Sequence, residues 1–221
     1  MWTFLSDFYY TNLFNGVVII ALLVYSSLNY KHLQNFKVFF WYCLLSFFQL
    51  VYVFYVDKIV HESLIKDYLN VSVNIFILIE LVLFSFFLYN SISHNLVKRI
   101  IKYFVIGFFI LFFFSSPIYL LKNGLPSYIY LFEYLGFLFF VIFFLYENLE
   151  SNLTNFHKLK PSLWVGSGIL ILFSIITPVF LFINFFPSVD FENVYILNNI
   201  SYFIFYCFLS YSLICKVKSV I

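Results

Sequence analysis

The chain has 221 residues, of which 64% are hydrophobic, 26% aromatic and 10% charged, and its formal net charge is +2. Soluble domains carry about 25% charged and about 45–50% apolar residues, so this composition excludes a soluble globular fold. It also excludes a disordered chain, which needs few aromatics and high charge, and a nucleic-acid binder, which needs a strong basic surplus. What remains is an integral membrane protein. Runs such as 104–114 and 137–145 are continuously apolar, whereas barrel strands alternate along ~10-residue segments, so the expected fold class is all-α.

Seven runs approach the ~20 residues that cross a bilayer, and together they form one domain, 1–221, a polytopic bundle of seven helices. The first run covers 12–29. No basic segment precedes it and no small-residue cleavage site follows it, so no cleavable signal peptide is expected. The second covers 38–56, where Tyr42, Ser46, Gln49 and Tyr52 recur at helical spacing on one face. The third, 71–89, carries Glu80 at its middle. The fourth, 103–121, contains Pro117, and the fifth, 127–146, presents Tyr130, Glu133, Phe137 and Phe140 on one face with Gly136 beside it. The sixth, 162–185, has a small-residue face at Ser162, Gly166 and Gly168, expected to pack closely on a neighbour, and a bend is expected at Pro178. The seventh, 194–215, bears the stripe Tyr195, Asn199, Tyr202, Tyr206 and Ser210, with Asn198 and Ser201 alongside.

Basic residues in short loops set orientation. Of 12 Lys and Arg, nine (Lys31, Lys37, Lys98, Arg99, Lys102, Lys158, Lys160, Lys216 and Lys218) fall on one side, against Lys58, Lys66 and Lys122 on the other. The second side also holds Asp7, Asp57, Glu62, Asp67, Asp190 and Glu192. The N-terminus is therefore expected outside and the C-terminus in the cytoplasm, as for a multi-pass protein of a bacterial cytoplasmic (inner) membrane. Aromatic belts agree, with Trp41 and Trp164 at inner ends and Trp2, Tyr9, Tyr10, Tyr55, Tyr68, Tyr128 and Tyr130 near the outer face. Cys43 and Cys207 lie inside runs and Cys215 at the inner edge, so no disulfide is expected. The 35 Phe and 19 Tyr fit the nucleotide bias of an AT-rich genome and are not read as a ligand cage.

Ionisable groups inside a membrane are costly and usually face the bundle interior. Glu80 and Glu133 have no Lys, Arg or His at similar depth. Each is either a protonated acid tying helices together through hydrogen bonds, or a group facing a wet cavity that takes a proton, cation or amine. Both readings stand for Glu133. For Glu80, near the midplane, the desolvation cost is greatest, and function is favoured. Hydrogen-bond partners are expected from Gln49, Asn198, Asn199 or tyrosine hydroxyls such as that of Tyr202. Together these residues outline an aromatic-walled polar cavity among the second, third, fifth and seventh runs, in the outer half.

Catalytic parts are not found. Val165-Gly-Ser-Gly168 has Val where intramembrane serine proteases have Gly, and no span contains a histidine base. His32, His61, His94 and His157 are scattered near loops, without the spacing of a metal site. No metal or other cofactor and no nucleic acid is expected, and an enzyme is not favoured. The residues 193–215 contain no Lys for a retinal Schiff base. Tyr89-Asn-Ser-Ile-Ser and Asn198-Asn-Ile-Ser-Tyr202 also depart from the D-R-Y and N-P-x-x-Y of G-protein-coupled receptors. The Glu80 span ending in Leu88-Tyr-Asn90, the element Trp164-Val-Gly-Ser-Gly-Ile-Leu and the span Leu197-Asn-Asn-Ile-Ser-Tyr-Phe-Ile resemble small heptahelical membrane proteins of Bacteroidota. Related modules there precede histidine-kinase domains, so the resemblance implies a sensory role.

Three functions follow as expectations. The first is a sensor-like or receptor-like bundle that takes a small or lipidic ligand and acts through a membrane or cytoplasmic partner. The second is a proton- or cation-coupled transporter or channel using Glu80. The third is a structural or accessory subunit of a larger membrane complex.

Overall fold

The computed structural model describes the backbone of residues 2–59, 62–119, 127–152, 160–185 and 191–218, and the side chains of 14–55, 71–114, 128–149, 160–179, 181 and 196–218. The sequence-based assignments for Trp2, Tyr9, Tyr10, Tyr68, His61, His157, Lys158, Tyr195, the side chain of Pro117, and the acidic and basic residues of the lysine-poor side lie outside the described side chains. The described residues form seven α-helices: α1 (Trp2–Leu28), α2 (Lys37–Ile59), α3 (Glu62–Ser91), α4 (Asn95–Tyr119), α5 (Ser127–Asn152), α6 (Pro161–Phe185) and α7 (Phe191–Lys218). One helix falls on each of the seven apolar runs. A helix satisfies its own backbone hydrogen bonds, which an apolar surrounding requires.

Among the described residues, five helices hold stretches long and apolar enough to cross a membrane: Gln34–Tyr55, Val71–Ser91, Tyr128–Leu149, Pro161–Val179 and Ile196–Lys218. They mark the chain as a multi-pass membrane protein. Among the described side chains, α1 contributes the apolar stretch Phe14–Leu28, and α4 carries Lys98, Arg99 and Lys102 in its first turns.

The helices form a closed circuit. α1 packs on α2 and α7, α2 on α3, α3 on α4 and α5, α5 on α6, and α6 on α7. One face of α3 points to the centre of this circuit. The ring of Phe84 meets those of Tyr42 on α2 at 5.0 Å, Phe205 on α7 at 5.5 Å, Phe137 on α5 at 5.8 Å and Phe173 on α6 at 6.1 Å. Ring pairs of this kind contribute about 0.5–1.5 kcal/mol each beyond their area, which matters where lipid removes the hydrophobic drive between helices. The expected small-residue face of α6 is used on both sides. A Cβ at Gly166 would stand 2.5 Å from the Phe144 ring of α5, and one at Gly168 would stand 2.8 Å from Phe208 Cβ of α7. α6 continues without a break through Pro178.

The lysine-rich end is tied by side chains. Two single-turn 3-10 helices, Tyr30–His32 and Gln34–Phe36, join α1 to α2. Gln34 has φ 46°, a left-handed conformation, and its Oε1 accepts a hydrogen bond from Lys216 Nζ at 3.0 Å. Leu33 and Phe36 of this connection are buried, so it covers that end of the bundle. Glu147 Oε1 on α5 accepts from Ser93 N at 2.9 Å and from Ser93 Oγ, just before α4. Trp164 packs on Tyr211 and Phe208 rather than standing free, and Trp41 is exposed.

Candidate functional site

A cavity of about 310 Å³ opens at the lysine-poor end, where α2 finishes and α3, α5 and α7 begin. Its walls include Asn15 and Ile19 of α1, Ser46, Gln49 and Phe54 of α2, Phe76 and Ile77 of α3, Tyr130 and Tyr134 of α5, and Asn198, Asn199, Tyr202 and Tyr206 of α7. The polar positions come from the stripes on α2 and α7. Helical repeat brings residues three and four apart to one face, and closure of α7 against α1 faces those two stripes toward one another. No charged side chain lines the cavity among the described residues.

Glu80 lies one helical turn beyond Ile77, behind the cavity floor, and is 1% exposed. Its Oε1 accepts a hydrogen bond from the Tyr42 hydroxyl at 2.9 Å, and its Oε2 accepts from the Tyr202 hydroxyl at 3.4 Å. The Tyr206 hydroxyl adjoins Tyr42 and Ser46. Tyrosine hydroxyls thus connect the cavity wall to the acid. Glu133 is fully buried, within electrostatic reach of Glu80, and neither of its carboxyl oxygens has a hydrogen-bond partner among the described residues. Neither acid lines the cavity itself.

The expected site residues therefore divide into two groups. Gln49, Asn198, Asn199 and Tyr202 line one cavity, at the lysine-poor end of the bundle. Glu80 and Glu133 face the interior as expected, but of the donors anticipated for them only tyrosines reach Glu80. Gln49 Nε2 donates instead to Ser72 Oγ at 3.2 Å, and the Asn199 backbone carbonyl accepts from Asn15 Nδ2 at 3.4 Å.

Tyr52 corrects one assignment: it is exposed and leaves the α2 stripe, because the stripe drifts around the helix over three turns. Tyr130 is buried on the same α5 face as Glu133, and its hydroxyl donates to Asn74 Oδ1 at 2.8 Å. Two site residues escaped the sequence reading, Asn15 and Asn74. Both are buried single amides in apolar runs, and that cost alone was the available signal. Among the described residues, no three His, Cys, Asp or Glu side chains come together in a way that would hold a metal ion. Comparison with known proteins finds no protein family, no curated protein and no solved structure that matches this chain.

Proposed function

We propose that the chain is a seven-span, receptor-like protein of a bacterial cytoplasmic membrane. It holds a small or lipidic ligand in an outward-facing cavity and acts through a partner protein. The cavity carries this reading. It is a concave space with aromatic walls and a few convergent amides and hydroxyls, the usual make-up of a small-molecule site. Its floor is tied by Tyr202 to Glu80 and through Glu80 to Tyr42, so a ligand that shifts Tyr202 disturbs contacts on α2, α3 and α7 at once. The orientation rests on the basic residues of the loops, with α1 and α4 as the two remaining spans.

Crosslinking in native membranes followed by purification of the intact chain tests the reading. One stoichiometric partner protein is the expected result, and its absence under several crosslinker chemistries removes the output and with it the proposal.

A second reading is favoured by one observation, the carboxyl of Glu133, close to Glu80 and without a hydrogen-bond partner among the described residues. Two acids that meet no cation among the described residues suit a proton- or cation-coupled carrier. Proton or cation flux in proteoliposomes that is unaltered by Glu80→Gln and by Glu133→Gln defeats it.

A further inference from the structure

A second concavity lies on the outer surface of the same helices. It is a groove of about 540 Å³ between α2 and α3, lined mainly by Leu45, Phe48, Val51, Val71 and Ile75, with Tyr52 and Tyr55 toward its end. Phe48, Val51 and Ile75 are exposed, and the groove lies within two stretches apolar enough to cross a membrane, so acyl chains of the bilayer cover it. Two residues, Gln49 and Phe76, line both the groove and the central cavity. The wall between the two spaces is therefore one side chain thick. Across it Gln49 Nε2 donates a hydrogen bond to Ser72 Oγ at 3.2 Å, of a kind that contributes only about 0.6 kcal/mol on average inside membranes.

The two compartments are opposite in chemistry. The groove is apolar along α2 from Leu45 to Tyr55, a length of ~15 Å at the rise of an α-helix, or about half the hydrocarbon core of a bilayer. That is the depth of one leaflet and the reach of one acyl chain. The cavity offers Asn15, Gln49, Asn198, Asn199 and tyrosine hydroxyls and, among the described residues, no charged group. We propose that the Gln49–Phe76 wall is a lateral portal, through which the cavity receives the uncharged, oxygen-rich head of a single-chain amphiphile from the surrounding bilayer while its tail stays in the α2–α3 groove. This rests on the reading above that the cavity holds a ligand, and it names the class of that ligand. A head group with a net charge is disfavoured, because no opposite charge lines the cavity among the described residues and burial without one is costly. Entry between helices also spares the amphiphile from leaving the membrane.

The test uses the full chain in phosphatidylcholine nanodiscs with a trace of monoacylglycerol bearing a diazirine in its acyl chain. After irradiation, labelled peptides are mapped by mass spectrometry. Label is expected to concentrate on the peptides around 45–55 and 71–76, and excess monooleoylglycerol should abolish it. Asn198→Leu, a substitution of similar shape at a half-buried wall position, should weaken labelling roughly fivefold, the loss of about one hydrogen bond to the head.

Label spread evenly over lipid-facing positions such as Phe113 and Phe114, or not competed by monooleoylglycerol in the unaltered chain, overturns the proposal without reference to any variant. Competition by lysophosphatidic acid equal to that by monooleoylglycerol overturns the uncharged head. A partner protein captured in native membranes alongside unsaturable labelling leaves the receptor reading standing and removes the portal. Saturable labelling with no partner does the reverse.

Discussion

At Glu80, the Tyr42 and Tyr202 hydroxyls both donate to one buried carboxyl. Glutamine keeps its shape and one acceptor oxygen, so Glu80→Gln is expected to change stability by no more than about 1 kcal/mol. Leucine removes both acceptor oxygens from under hydroxyls in the core, and Glu80→Leu should cost about 1–3 kcal/mol. Unfolding in mixed micelles of rising sodium dodecyl sulfate fraction reads both values, and equal losses for the two variants contradict the assignment. Glu133 behaves oppositely. Both its oxygens are buried without a partner among the described residues, so the acid destabilises the fold that contains it. Glu133→Met should raise stability by about 1–3 kcal/mol in the same titration. A loss of stability there means that Glu133 has a partner within the bundle. These two acids were conspicuous in the sequence because each interrupts an apolar run. Their different surroundings were not, since the register of Tyr42 and Tyr202 against Glu80 is set by helix packing across 38 and 122 residues of chain.

The helices themselves were legible because continuous apolar runs leave the backbone no other way to satisfy its polar groups. Their ends were less so. α3 begins at Glu62 and α5 reaches Asn152, well past the apolar limits of 71–89 and 127–146, because helical hydrogen bonding continues beyond the last apolar side chain. The 3-10 turns at 30–36 contain neither Gly nor Pro and gave no turn signal. The close approach of α6 to α5 and α7 was readable in Gly166 and Gly168, and it yields a graded prediction. At Gly168 the obstacle is Phe208 Cβ, fixed to the α7 backbone, so Gly168→Ala should destabilise by about 1–3 kcal/mol. At Gly136 it is the far edge of the Phe104 ring, which can swing, and the cost should be smaller. At Gly107 nothing lies within 4 Å, so Gly107→Ala should be neutral or stabilising by up to ~1 kcal/mol through helix propensity. Thermal denaturation of the three variants in one detergent orders them, and a different order refutes the packing of α6 on α7.

For the whole molecule, the aromatic content has a structural use that composition alone does not reveal. Phe39, Phe84, Phe87, Phe137, Phe144, Phe173 and Phe205 are all essentially inaccessible, and their rings link the interior helices. Phe and Tyr have few rotatable bonds, so ordering them costs less entropy than ordering Met or Lys. The cavity follows from the same packing, since flat rings and single amides leave space where tapered aliphatic chains would interlock. The proposed orientation predicts that a fluorescent protein fused after residue 221 folds and emits in the cytoplasm, while alkaline phosphatase fused there is inactive. At the loop near 122 the results should be the opposite. Phosphatase activity at the C-terminus reverses the topology and turns the cavity toward the cytoplasm.

The bond between Tyr202 and Glu80 spans 122 residues, and this sets a clock on biogenesis. Helices enter the membrane in the order of synthesis, at ~5–20 residues per second. Tyr42 is therefore already in place when α3 arrives, but Tyr202 follows Glu80 only after roughly 6–24 s. Throughout that interval the nascent bundle has an open flank between α1 and α6, where α7 will dock, and Glu80 has half its final partners. A chain halted after α6 freezes this intermediate. It should be recognised by membrane quality control and degraded faster than the complete protein, as pulse-chase labelling would show. A half-life equal to that of the complete chain would mean that the first six helices close around Glu80 unaided.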